Sequence, residues 1–260
     1  MNRLENFLKL VDIIKKLRAP GGCDWDREQT HTTLIPYLTE ETYEVIEAIE
    51  NNDSDALKEE LGDLLLHVLF QAELASENKE FDIFDSIESI NNKLIIRHPH
   101  VFDKDSDNQN WTQKGSWEKS KKKEKNRKSV LEGVPGSLPG LLRSRRIQEK
   151  ASSVGFDWKE SKPIISKVEE EFDEVKDAIS KKDSQEIEME IGDLLFAVVN
   201  LSRFYCIDPE SALKKSTDKF IRRFNMVEQK ITDSGKKMED SDLETMDKIW
   251  DEVKLNEKRS

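Results

Sequence analysis

Lys167 to Asn200, KVEEEFDEVKDAISKKDSQEIEMEIGDLLFAVVN, decides how the rest of the chain is read. Val168, Phe172, Val175 and Ile179 recur at helical spacing, and so do Ile187, Ile191, Leu194 and Val198. The spacing predicts two helices joined by a short polar turn, with Asp183 and Glu186 as the start signal of the second. At roughly 100° per residue, Glu171 and Glu174 lie about 60° and about 120° to one side of the first stripe. Glu190 and Asp193 keep the same two offsets beside the second. If the stripes pack together, the four carboxylates converge beside the seam. Crowded anions raise one another's pKa or call for a counter-ion, and oxygen-only donors suit Mg2+ or Mn2+ better than zinc. A solvated acidic face is the plainer alternative in a chain that is 37% charged.

The pattern occurs twice. In Thr39 to Gln71, Glu41 and Glu44 flank the stripe Leu38, Val45 and Ile49, while Glu60 and Asp63 flank Leu57, Leu61, Leu64 and Val68. The same 15 residues separate Glu44 from Glu60 and Glu174 from Glu190. A solvated face has no reason to keep both the offsets and the loop length. The repeat runs further: Lys93-x-x-x-Arg97 corresponds to Lys219-x-x-x-Arg223, and Trp117 with Lys121 corresponds to Trp250 with Lys254. Lysine and arginine at i and i+4 share a helix face. Beside a metal they suit phosphate oxygens, although each pair alone is an ordinary surface feature.

Glu-Glu-x-x-Glu, a spacer, then Glu-Leu/Ile-Gly-Asp resembles the signature of the MazG family of nucleoside triphosphate pyrophosphohydrolases. Three further stretches carry the likeness: GGCDWDREQTHTTL at Gly21–Leu34, VPGSLPGLL at Val134–Leu142 and VGFDW at Val154–Trp158. It spans nearly the whole chain, in the two-repeat form of the family. The resemblance implies a helical dimer in which paired hairpins form bundles around the sites. It also implies hydrolysis of a nucleoside triphosphate between its α and β phosphates, giving a monophosphate and pyrophosphate. Carried onto these residues, it makes Glu171, Glu174, Glu190 and Asp193 the ligands of Mg2+, with Mn2+ as a substitute. Lys167, Lys219, Arg222 and Arg223 would meet the triphosphate, Trp250 would lie near the nucleotide, and either Glu170 or Glu171 would handle the water. By analogy, Glu41, Glu44, Glu60 and Asp63 form a second metal site, with Lys93, Arg97 and Trp117 as its substrate side. Lys167 aligns with Tyr37 and Arg222 with Ile96, so the first repeat lacks two cations. The family credits catalysis chiefly to the C-terminal repeat, and these departures point the same way.

The remaining sequence bounds this reading. Few glycines and prolines and long 3.6-period segments favour an all-helical fold. We expect an N-terminal repeat at 1–128, a linker at 129–142 and a C-terminal repeat at 143–260. A net charge of −12 argues against a general nucleic-acid binder. The basic run from Lys119 to Lys128 reads either as a phosphate patch or as a solvated helix end. Two distant cysteines, Cys23 and Cys206, point to a reducing compartment. No signal-like segment opens the sequence and no apolar run approaches the ~20 residues of a membrane span, so a cytoplasmic protein without membrane contact is expected. There is no P-loop GxxxxGK[ST]. Trp25 in the Pro-Gly-Gly loop reads as a base-stacking residue or as a cap on the helix pack. His67 reads as a packed histidine or as one reaching a metal or phosphate. Broad base selectivity in a nucleotide-pool role is the expected function. The rivals are a hydrolase narrowed to one nucleotide and a non-catalytic helical module that binds nucleotide or a partner.

Overall fold

A computed structural model describes residues 3–102 and 128–257, and all regular structure among them is helical. The chain forms two compact units, Met1–Trp111 and Thr112–Ser260. The first contains α1 (Arg3–Arg18), α2 (Asp24–Glu28), α3 (Ile35–Glu50), α4 (Ser54–Glu77), α5 (Ile83–Arg97) and α6 (Pro99–Phe102). The second contains α7 (Gly140–Ser152), α8 (Ser161–Lys181), α9 (Ser184–Phe204), α10 (Pro209–Asp233), a 3-10 turn at Met238–Asp240 and α11 (Leu243–Glu257). Trp117 and nearly all of the basic run lie outside the described residues.

The central feature of each unit is a helical hairpin, α3–α4 in the first and α8–α9 in the second. Both turns are built alike. Asn52 and Lys182 take the left-handed conformation, with φ of 54° and 58°. The next residues, Asp53 and Asp183, cap α4 and α9 by accepting the backbone N–H groups two and three positions on. Prolines at the first turns of α3 and α10 cost no helical hydrogen bond there. Asp208 caps α10 through the Ser211 N–H. The Pro-Gly-Gly loop holds the five-residue α2, too short for periodicity to reveal. Pro99 follows the end of α5 and opens α6, where its missing N–H is harmless.

The core of the first unit joins Val11 and Ile14 of α1, Leu34, and Leu69, Phe70, Ala72 and Leu74 of α4 with Ile83. In the second unit, Ile164, Glu171, Val175 and Ala178 are the buried line of α8, and α7 packs on α9. Farther along, Val227 and Ile231 of α10 bury against Val253 of α11. The hairpin seam is rotated from the expected stripe. Val175 is buried, but Phe172 and Ile179 are 53% and 55% exposed, and Ile191 and Val198 are also exposed. The reason is geometric: each helix carries more apolar residues than one partner helix covers, and Glu171 lies on the covered side.

Candidate metal and nucleotide centre

In the second unit, one carboxylate oxygen from each of Glu171, Glu174 and Glu190 lies within 4.8 Å of the others. Hairpin packing brings these three together from two helices. Glu171 is the most buried of them, its side chain 7% exposed. Lys167, one turn earlier on α8, donates to Glu170 Oε1 and pairs with Glu171 Oε1, each at 2.7 Å. Those two bonds push the Lys167 pKa further up, Glu170 contributing most. Burial, then the negative charge and hydrogen bond of Glu171, hold Glu174 above the usual carboxylate range. Asp193 stands outside the three-oxygen group, and it lines an adjoining cavity together with Glu171 and Lys167.

The first unit gathers its own trio, Glu41, Glu60 and Asp63, again within 4.8 Å, with Asp63 at the register of Asp193 in place of a counterpart to Glu174. Burial, reinforced by Glu44, Asp63 and Glu60, raises Glu41 to about 7. Burial, then Glu44 and Asp63, also raises Glu60. Glu44 hydrogen-bonds Glu41 rather than joining the trio. Tyr37 occupies the register of Lys167 and stacks parallel on His67, with ring centroids 6.3 Å apart. Trp25 meets Tyr37 edge-on at 5.8 Å. His67 is buried, its Nε2 is 3.9 Å from Glu41 Oε1, its Nδ1 has no partner, and burial lowers its pKa. It is both packed and against the carboxylates.

Both trios fit a hard divalent cation. They are oxygen-only and close enough to share one ion, and Glu41, Glu60 and Glu174 are raised first by burial and then by neighbouring carboxylates, a repulsion that a cation relieves. Clustering in each unit is thus tighter than sequence spacing implied for three of the four residues and looser for the fourth.

The expected phosphate ligands beyond Lys167 sit elsewhere. Arg222 and Arg223 of α10 both bind Glu257 at the end of α11, at 3.0 and 2.8 Å. Their pull holds Glu257 below the usual carboxylate range. Arg223 also lies over the Trp250 ring, 5.9 Å from its centroid, and Phe220 packs on the same ring. Lys219 is exposed. None of these four residues is among those lining the cavity beside Glu171. In the first unit Lys93 is half-buried and Arg97 is buried.

The cavity itself, about 630 Å3, was not anticipated. Its wall includes Gln148 of α7, Phe156 to Trp158, Phe196, Ala197, Asn200 and Arg203. Arg203 is tied to Asp157 at 2.9 and 2.5 Å. These residues come from three helices and a loop, so no spacing rule groups them. VGFDW was the one visible signal.

The MazG nucleotide pyrophosphohydrolase domain matches the chain twice, over residues 29–102 and 159–227. The chain is 50% identical over 250 residues to the nucleoside triphosphate pyrophosphohydrolase/pyrophosphatase MazG of Thermotoga maritima, with 95% of both chains covered. It is 44% identical to the nucleoside triphosphate pyrophosphohydrolase of Escherichia coli K12, with 99% of both covered. It is also 44% identical to the Bacillus subtilis uncharacterized protein YabN, covering 98% of this chain and 53% of that one. Each match on the chain contains one acidic hairpin. The chain belongs to the MazG nucleotide pyrophosphohydrolase family, with the family domain present in two copies.

Proposed function

We propose that the chain hydrolyses nucleoside and deoxynucleoside triphosphates to monophosphate and pyrophosphate, at the acidic cluster of the C-terminal repeat. Family membership and the names of two full-length relatives carry the coarse activity. The observation that favours this site is the Glu171, Glu174 and Glu190 trio with Lys167 on Glu171, opening onto a cavity of nucleotide size. Glu171, Glu174 and Glu190, with Asp193 alongside, would hold Mg2+ or Mn2+. Such an ion lowers the pKa of a bound water and offsets charge on the attacking and leaving oxygens. Lys167 is a cation at all physiological pH, and an arriving phosphate oxygen competes with Glu170 and Glu171 for its ammonium. That exchange frees Glu170, which is exposed, to accept a proton from water. Arg222, Arg223 and Lys219 reach phosphate only after leaving Glu257 and solvent, so their role belongs to the ligand-bound state.

The same reading has a dimer. Phe172, Ile179, Ile191, Leu195 and Val198 expose an apolar face on one hairpin. A face of that extent suits a second hairpin packed as in a four-helix bundle. Cys23 and Cys206 are free and exposed, as suits a reducing cytoplasm, and none of the described helices is long and apolar enough to cross a membrane. A broad base range and a house-cleaning role in the nucleotide pool complete the proposal.

Product identification tests it. With Mg2+ and a panel of NTPs and dNTPs, we expect monophosphate and stoichiometric pyrophosphate from several bases. Diphosphate with inorganic phosphate would place the cut at the wrong bond. Nucleotide binding without turnover would favour the regulatory module.

A further inference from the structure

The cavity between α7, α8 and α9 contains a polar group that the hydrolysis scheme does not use. Gln148 is 7% exposed, and its Nε2 donates to the Phe196 carbonyl at 2.8 Å. A carbonyl only accepts, so this bond fixes which way round the carboxamide sits. Gln148 Oε1 is left as a buried acceptor with no partner. Buried acceptors are nearly always paired, and because Gln148 is among the residues that line the cavity, a small shift of its side chain would offer this orphan to a donor on a ligand.

The surroundings say which ligand. Phe156 and Trp158 bring aromatic rings to the lining, Phe156 largely exposed, and Ala197 is a small residue that α9 contributes there. Asn200 Oδ1 accepts from Arg203 Nε and a terminal nitrogen at 3.0 and 2.8 Å. Arg203 is itself braced by Asp157. The Asn200 amide nitrogen is thereby set as a donor. Aromatic faces with one acceptor and one donor in the wall match the π-surface and polar edge of a nucleobase. Glu171, Lys167 and Asp193 at the other part of the lining place the phosphate-handling groups alongside.

The N-terminal repeat provides an internal comparison. At the register of Lys167, Ala197 and Asn200 it has Tyr37, His67 and Phe70. His67 and Phe70 are 8% and 4% exposed, and Tyr37 stacks on His67. The N-terminal repeat thus carries rings at three positions where the C-terminal repeat has a lysine, an alanine and an asparagine.

We propose that the nucleobase lodges in this cavity and that Gln148 tilts selectivity toward bases with an exocyclic amino group, whose N–H it accepts. This rests on hydrolysis at the adjoining carboxylates. Cytosine and uracil make the cleanest pair. The 4-amino group of cytosine donates to Gln148 Oε1, whereas the 4-carbonyl of uracil sets two acceptors against each other. Adenine and guanine also carry amino groups, so the tilt is compatible with a broad range.

The test uses the full-length chain with Mg2+. We expect kcat/KM for CTP about tenfold above that for UTP. Gln148→Met, which keeps the volume and removes the acceptor, should bring the ratio near one by lowering the CTP value. Asn200→Phe, copying the N-terminal repeat, should raise KM for every nucleotide about tenfold while Mn2+ affinity, read by electron paramagnetic resonance, stays unchanged. Equal CTP and UTP values in the parent chain overturn the proposal, as does a preference that survives Gln148→Met. If the parent chain makes no monophosphate at all, the hydrolysis reading fails separately. Calorimetric binding of CTP and UTP then decides the seat: a preference abolished by Gln148→Met upholds it, and equal binding overturns it.

Discussion

Glu41 and Glu171 occupy the same register of the two hairpins, and one neighbouring side chain separates their circumstances. Lys167 pairs with Glu171, while the matching Tyr37 gives Glu41 no cation. Glu41 is therefore raised from 4.5 to about 7 by burial and by its fellow carboxylates. The consequence for stability has a definite sign. Between those values the folded chain holds a proton that the unfolded chain releases, so the contribution is complete below pH 4.5 and is lost as pH rises through about 7. With the side chain 20% exposed, we expect a loss on the order of 1 kcal/mol in metal-free solution. Glu41→Gln should flatten the stability profile by that amount, measured by urea unfolding at pH 5 and pH 8 in chelator. An unchanged slope in the variant would show that Glu41 titrates normally. Excess Mg2+ should restore the parent chain at pH 8, because ligand bound only to the folded state stabilises it.

At the scale of elements, the hairpin turns are the most demanding local structure. Asn52 suits the left-handed conformation because its short polar side chain tolerates it, but Lys182 at φ 58° does not share that advantage. Lys182→Asn should stabilise the C-terminal repeat by about 0.5–1 kcal/mol, seen as a rise of a few degrees in its melting temperature. A fall would mean that the lysine has a compensating contact. The helices themselves were legible because capping and periodicity are local: Asp183 caps α9 where the sequence placed the start signal of that helix. Helix rotation was less legible. Phe172 and Ile179 fit the apolar repeat, yet the hairpin buries the Glu171 side, since periodicity marks an apolar arc without saying which part the partner covers. The cavity was illegible for a related reason. Gln148, Trp158, Ala197 and Asn200 meet only through the packing of α7 on α9, which sequence spacing does not encode.

The whole molecule presents two copies of one domain that have each kept four carboxylates at the same register, gather three of them, and have diverged around them. Retention of Glu41, Glu60 and Asp63 is understandable for either a second active site or a metal-bound structural repeat. The surroundings discriminate between these. The N-terminal trio lacks the lysine, and Tyr37, His67 and Phe70 put rings at the positions where the C-terminal repeat has Lys167, Ala197 and Asn200. A nucleotide needs both a metal-binding edge and room for its nucleoside, and in the C-terminal repeat a cavity of about 630 Å3 is lined by Glu171 of the trio. Glu190→Gln removes a trio oxygen charge there, and Glu60→Gln removes its counterpart in the first repeat. The two changes are isosteric and occupy equivalent helix positions, so their effects on folding should be alike. Their effects on turnover should not be. We expect Glu190→Gln to lower kcat by at least about 100-fold, in line with the loss of a group that acts on the transition state. Glu60→Gln should leave most of the activity while weakening Mn2+ binding at one class of site. Equal loss in both variants would mean that the N-terminal repeat is also catalytic.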